Sequence, residues 1–252
     1  MGAQATIPGI YNYCDRWCER CAFTERCTVF IRSSQVPEDD SDDLESALRF
    51  VQEQLQEAVA EISELQREQG IEITDEDLET AAVDFEQQRQ KSREHPLVQL
   101  GTAYAVTAGK LLHQPRLTEQ FTEQLQQQAE LGIVSEEQIR AKAQRLQEQL
   151  DVISYYRLFL PPKIYRAVSG ALFATAAERA DLQSDYRGSA KVAAICIQNS
   201  TAAYQQLLQL LPEAEDTLLD LLAQLQQMER LLLEAIPDCM QFLRPGFDGL
   251  TD

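Results

Sequence analysis

The chain has 252 residues, 44% of them apolar, enough to bury a substantial core and too many for a disordered chain. Its 22 basic and 41 acidic residues give a formal charge of −19. A surface of that sign repels phosphate backbones and anionic lipid, so no nucleic acid and no membrane surface is expected among its partners.

Residues 1–36 stand apart. They hold four of the six cysteines, the only tryptophan, and Tyr11, Tyr13, Phe23 and Phe30. Arg16, Arg20, Arg26 and Arg32 against Asp15, Glu19 and Glu25 make this segment +1, leaving −20 on the rest. Lysine is rare (5, against 17 arginines), which reads either as salt adaptation of an acidic host proteome or as attraction to a basic partner. The start, MGAQATIPGIYNYCDRW, lacks a basic n-region and an apolar h-region, so a bacterial cytoplasmic protein is expected. Met1-Gly2 with Thr6 fits the short myristoylation pattern, but one acyl chain without a polybasic patch binds membranes only marginally.

A charged linker, Pro37 to Asp43, follows, with Ser41 or Asp42 placed to cap a helix. Leu44, Leu48, Val51, Leu55, Ala58, Ile62 and Leu65 then run at alternating spacings of four and three, an a/d stripe that predicts a core-facing helix ending at Gly70. A second helix is predicted from Thr74-Asp75 to about Arg93, and a third from Pro96 with Leu97, Leu100, Tyr104, Ala108 and Leu111 on one face. Pro115 separates it from a shorter helix over about 118–131. Ser135 with Gln138 is a capping-box pattern opening a long helix to Leu160, which Pro161-Pro162 is expected to break. An antiparallel neighbour over 163–182, a turn at Asp185 to Gly188, and two further helices complete the chain. The expected fold is all-α: an antiparallel bundle of about eight helices over 37–252, without sheet, carrying the metal-binding segment 1–36.

Cys14, Cys18, Cys21 and Cys27 form C-x3-C-x2-C-x5-C. Thiols stay reduced in the cytoplasm, so these four read as metal ligands. If residues 14–21 are helical, the first three share one face and Cys27 closes a tetrahedron from the next turn. An ion would keep four thiolates from repelling one another and add folding energy to a segment too short for a core. Sulfurs within about 4 Å of one another, and about 2.3 Å from a zinc ion, are expected. Arg16, Arg20 and Arg26 are placed to offset the residual negative charge. Zinc as a closed structural knot on a helical scaffold or interaction module is the leading reading; an iron–sulfur redox protein or enzyme using the same four cysteines is the alternative, favoured by the compact spacing. C-x3-C-x2-C alone resembles the radical-SAM enzymes, but an all-helical remainder offers no α/β barrel, and a fourth ligand at Cys27 would fill the iron that must stay open. Cys196 and Cys239 read as buried small hydrophobes.

His95 and His113 lie 18 residues apart, and Ser92 and Lys110 stand where a di-iron bundle needs glutamates. No Ser-His-Asp order, P-loop or dinucleotide fingerprint is present. His95, before Pro96, reads as a helix-junction residue. Arg157 and Glu178 interrupt apolar stripes; they read as charges at the bundle edge, or with Asp181 and Lys191 as a polar pocket. Arg187, Ser189 and Lys191 after Tyr186 read as an ordinary helix start, or as an anion site on free backbone N–H groups. The expected partner is another protein or a second copy of the chain.

Overall fold

The computed structural model describes residues 5–34, 44–70 and 74–248. The acylation pattern at Gly2 and the Pro37–Asp43 linker with its Ser41/Asp42 cap lie outside them. Nine α-helices are present among the described residues: α1 (Thr28–Ser34), α2 (Leu44–Gln69), α3 (Asp75–Glu94), α4 (Pro96–Leu112), α5 (Pro115–Glu130), α6 (Glu136–Phe173), α7 (Ala176–Ala180), α8 (Asp185–Leu210) and α9 (Glu215–Ala235). No strand occurs among those residues, and none of their helices is long and apolar enough to cross a membrane.

The starts follow from local chemistry. Thr74 and Asp77, Ser135 and Gln138, and Thr175 and Glu178 each form a reciprocal capping box, opening α3, α6 and α7. Gly70 takes a left-handed φ of 67° just past α2, where a β-carbon would be strained. His95 caps α4, its Nδ1 accepting the Leu97 N–H at 3.3 Å, with Pro96 as the first helical residue. The junction role expected for His95 is thus what the geometry shows. Burial lowers the His95 pKa, so the folded state prefers the neutral ring whose Nδ1 can accept. The unfolded chain then binds more protons, and stability should fall as pH drops below about 6.5. A His95→Asn variant keeps a cap acceptor without a proton to gain. Its unfolding midpoint should stay flatter between pH 7 and 5 than that of wild type; parallel profiles would refute this.

α8 lies at the centre. Val192, Ala193, Cys196, Ile197, Tyr204 and Leu207 are all buried, packed against α6 on one side and α9 on another, while α4 joins α6 and α9. Leu97, Tyr104, Ala108 and Leu111 face this core as their spacing predicted. Cys196 and Cys239 are fully buried, as small apolar residues are.

Three expectations fail. Pro161-Pro162 does not break the chain: α6 runs through both for 38 residues, and the turn comes at Ala174. Two prolines forfeit two helical N–H donors. Leu160 and Ile164 on either side of them are fully buried, and that burial outweighs the loss. The Asp185–Gly188 turn is likewise absent, because these residues form the first turn of α8. The third failure is α2. Leu48, Val51, Leu55, Ile62 and Leu65 are each more than half exposed, and no extensive packing joins the helix to another described element.

Candidate metal centre

Each candidate ligand is set by a tight turn. Single 3-10 turns occupy Ile10–Asn12, Cys18–Arg20 and Thr24–Arg26. The Cys21 N–H closes the second onto the Cys18 carbonyl at 3.1 Å, and the Cys27 N–H closes the third onto the Thr24 carbonyl at 3.2 Å. Between Cys14 and Cys18 the chain is not helical: the Trp17 N–H donates to Asp15 Oδ1 at 3.2 Å, and Arg16 takes a left-handed φ of 58°. The one-face arrangement of Cys14, Cys18 and Cys21 therefore does not form.

All four cysteines nonetheless line one cavity of about 20 Å³, together with Ile10, Tyr11, Phe30 and Phe247. That is room for one water-sized body. Burial pushes the Cys18 thiol pKa up, and the neighbouring Cys14, Glu19, Cys21 and Cys27 raise it further. Burial also raises the Cys14 thiol, against the pull of Lys163 and Arg16. The Phe23 N–H donates to Cys21 Sγ at 3.4 Å, a bond that favours thiolate. Among the described residues no three His, Cys, Asp or Glu side chains stand as a ready ligand set. The four cysteines share a cavity wall rather than the closed shell expected from the spacing.

The segment is clamped on the bundle by its aromatic residues. Trp17 stacks on Tyr155 of α6 at 4.4 Å between ring centroids, and the Arg20 guanidinium lies over the indole, 3.8 Å from its centroid. Asp15 anchors the same turn: its carbonyl accepts from the Tyr155 hydroxyl at 2.9 Å, and its Oδ2 from the Tyr156 hydroxyl at 2.7 Å. Asn199 of α8 donates to that Tyr156 oxygen at 3.1 Å. The buried Lys163 ammonium donates to the Asn12 carbonyl at 3.1 Å. Tyr13 donates to Asp185, itself held in a fork by Arg166, and lies on α8 where Gly188 leaves room.

The C-terminal stretch closes the lobe from the other side. Phe247 meets Phe23 edge-on at 5.1 Å, and Phe242 meets Tyr13 at 4.5 Å. Asp248 holds this stretch to α8: Lys191 Nζ lies 2.8 Å and Arg244 Nη2 2.9 Å from its carboxylate. Burial alone would raise the Asp248 pKa, but hydrogen bonds from Arg244 and Lys191 hold it well below the usual carboxylate range.

The polar pocket of Arg157, Glu178, Asp181 and Lys191 does not assemble. Arg157 packs over Gly109 of α4, where a β-carbon would sit 3.0 Å from its Nη1, and lines a surface groove with Lys110 and His113. Glu178 serves the Thr175 capping box. The Asp181 carbonyl accepts from Arg187, and Lys191 belongs to Asp248. Nor is the start of α8 open to an anion. Arg187 donates to the Glu178, Arg179 and Asp181 carbonyls, and the rings of Tyr13 and Phe242 cover Gly188. Sequence reasoning missed Lys163, Tyr155, Tyr156 and Asn199, which lie over 120 residues from the cysteines in the chain and carry no local signal. No family model, no curated protein and no solved structure matches the chain.

Proposed function

We propose that Cys14, Cys18, Cys21 and Cys27 bind one zinc ion as a structural knot, and that the protein is a metal-stapled helical scaffold or interaction module. The observation that carries this reading is that all four cysteines line one ion-sized cavity. A single ion suits about 20 Å³, whereas an eight-atom iron–sulfur cubane needs more room than one water occupies. The ion would supply tetrahedral cross-linking among three turns that have little core of their own. Shell closure is coupled to binding, since each thiol must lose its proton to the ion's charge. Arg16 lines the cavity and Lys163 acts on Cys14, so both oppose the excess negative charge of four thiolates. Four protein ligands leave no open position, which fits a structural rather than a catalytic ion, in a compartment where thiols stay reduced.

The iron–sulfur reading retains one specific support. Trp17, which lines the cysteine cavity, Tyr155 and Phe159 form a stacked series, with centroid separations of 4.4 and 6.1 Å. The deciding experiment is anaerobic purification followed by elemental analysis and an absorption spectrum. One zinc per chain in a colourless protein is expected. Brown protein containing iron and sulfide would overturn zinc in favour of a cluster.

A further inference from the structure

The a/d stripe of α2 is well formed and faces solvent. Leu48, Val51, Leu55, Ile62 and Leu65 are 53–61% exposed, and the helix is 26 residues long. A lone helix of such a composition is marginal in water, because most helical stability comes from packing an apolar face. Strict alternation of four and three is the period of a left-handed coiled coil, and 26 residues supply the three to four heptads such a coil requires.

We propose that α2 pairs with α2 of a second copy of this chain as an antiparallel coiled coil. Leu48, Leu55 and Ile62 occupy a positions, and Val51, Ala58 and Leu65 occupy d positions. A parallel pair would set Ala58 against Ala58, leaving an underfilled layer in the middle of the seam. In the antiparallel register each a residue meets a partner d residue: Leu48 meets Leu65, Leu55 meets Ala58, and Ile62 meets Val51. The small residue then always faces a large one, as close packing requires. Flanking charge agrees. Gln52 meets Val59, while Glu61 and Glu68 meet uncharged positions, so no like charges are juxtaposed beside the seam. Glu53, Glu57 and Glu64 fall on the outer positions of the heptad, where they stay hydrated. A foreign basic helix would find few of these acids at the seam-flanking positions that read charge, which favours self-pairing. This goes beyond the metal reading and does not rest on it.

The test is the mass of the full chain in solution, by light scattering and sedimentation, across a concentration series. A dimer is expected, and Leu55→Glu should raise its Kd by at least about a hundredfold, because one carboxylate enters each of the two central apolar layers. Leu55 is exposed within the protomer, so the helical circular dichroism of the body should persist. Leu48→Cys separates the registers: under a mild oxidant the two position-48 sulfurs of a parallel pair face each other and cross-link, whereas in the antiparallel pair they lie about 25 Å apart, 17 residues at 1.5 Å, and no cross-linking beyond that of wild type is expected. A monomeric wild type, whether α2 docks on α3 or stays free, would overturn the proposal, as would a dimer that Leu55→Glu leaves intact or that Leu48→Cys cross-links.

Discussion

Replacing Cys18 with Ser should release the bound ion and loosen residues 5–34 while leaving most of the helical circular dichroism intact. Cys18 begins the middle turn, its carbonyl closes that turn onto Cys21, and its thiol feels the other three cysteines. In isolated zinc peptides such a site is worth roughly 10–16 kcal/mol, so losing one of four ligands is severe for a segment built of single turns. The effect should stop at the lobe's border. The core residues of α4, α6, α8 and α9 make their own contacts and gain nothing directly from the ion. Hydrogen exchange on both proteins, with metal content measured alongside, checks this. Unchanged protection in residues 5–34 after the ion is lost would mean that the aromatic and hydrogen-bonded clamp holds the lobe unaided. The structural-knot reading would then fail.

The cysteine set and the aromatic richness of the first 36 residues were legible in the sequence because both are local. So were the α4 face and the Ser135–Gln138 cap, which depend on spacing alone. What spacing cannot carry is the identity of the surface opposite. The α2 stripe reads like the α4 stripe, yet one lies in the core and the other in solvent, since period says that a face is apolar and not what covers it. Pro161-Pro162 misled for the opposite reason: local propensity opposes a helix there, and burial of Leu160 and Ile164 overrides it. Arg157 shares a stripe with core residues but escapes sideways because Gly109 on a different helix leaves room, a fact no window on α6 contains. The clamp on the cysteine lobe was illegible too. Lys163, Tyr156 and Phe242 meet residues 12–15 only once the whole bundle is folded.

Gly188 should prove among the least replaceable residues outside the cysteines. In the interior of an exposed helix, Gly→Ala stabilises by about 1 kcal/mol, so propensity alone predicts a gain. Here a β-carbon would lie 2.4 Å from Tyr13 Cε1 and 2.7 Å from Phe242 Cζ, inside contact distance of rings from both the cysteine lobe and the C-terminal stretch. Neither ring is free to yield. Tyr13 is tied to Asp185 through its hydroxyl, and the Phe242 carbonyl accepts from the buried Lys191 at 2.7 Å. Gly188→Ala should therefore destabilise by about 1–2 kcal/mol, and Gly188→Val by about 3 kcal/mol as the lobe is pushed off α8. Trp17 is the only tryptophan in the chain, and it stacks on Tyr155 at the docked face. Its fluorescence consequently reports lobe docking without interference, and its emission should shift to the red in the Gly188→Val protein at temperatures where the helical signal is still native. A gain in stability on Gly188→Ala, or unmoved Trp17 emission in Gly188→Val, would show that the glycine is there for reasons other than seating the lobe.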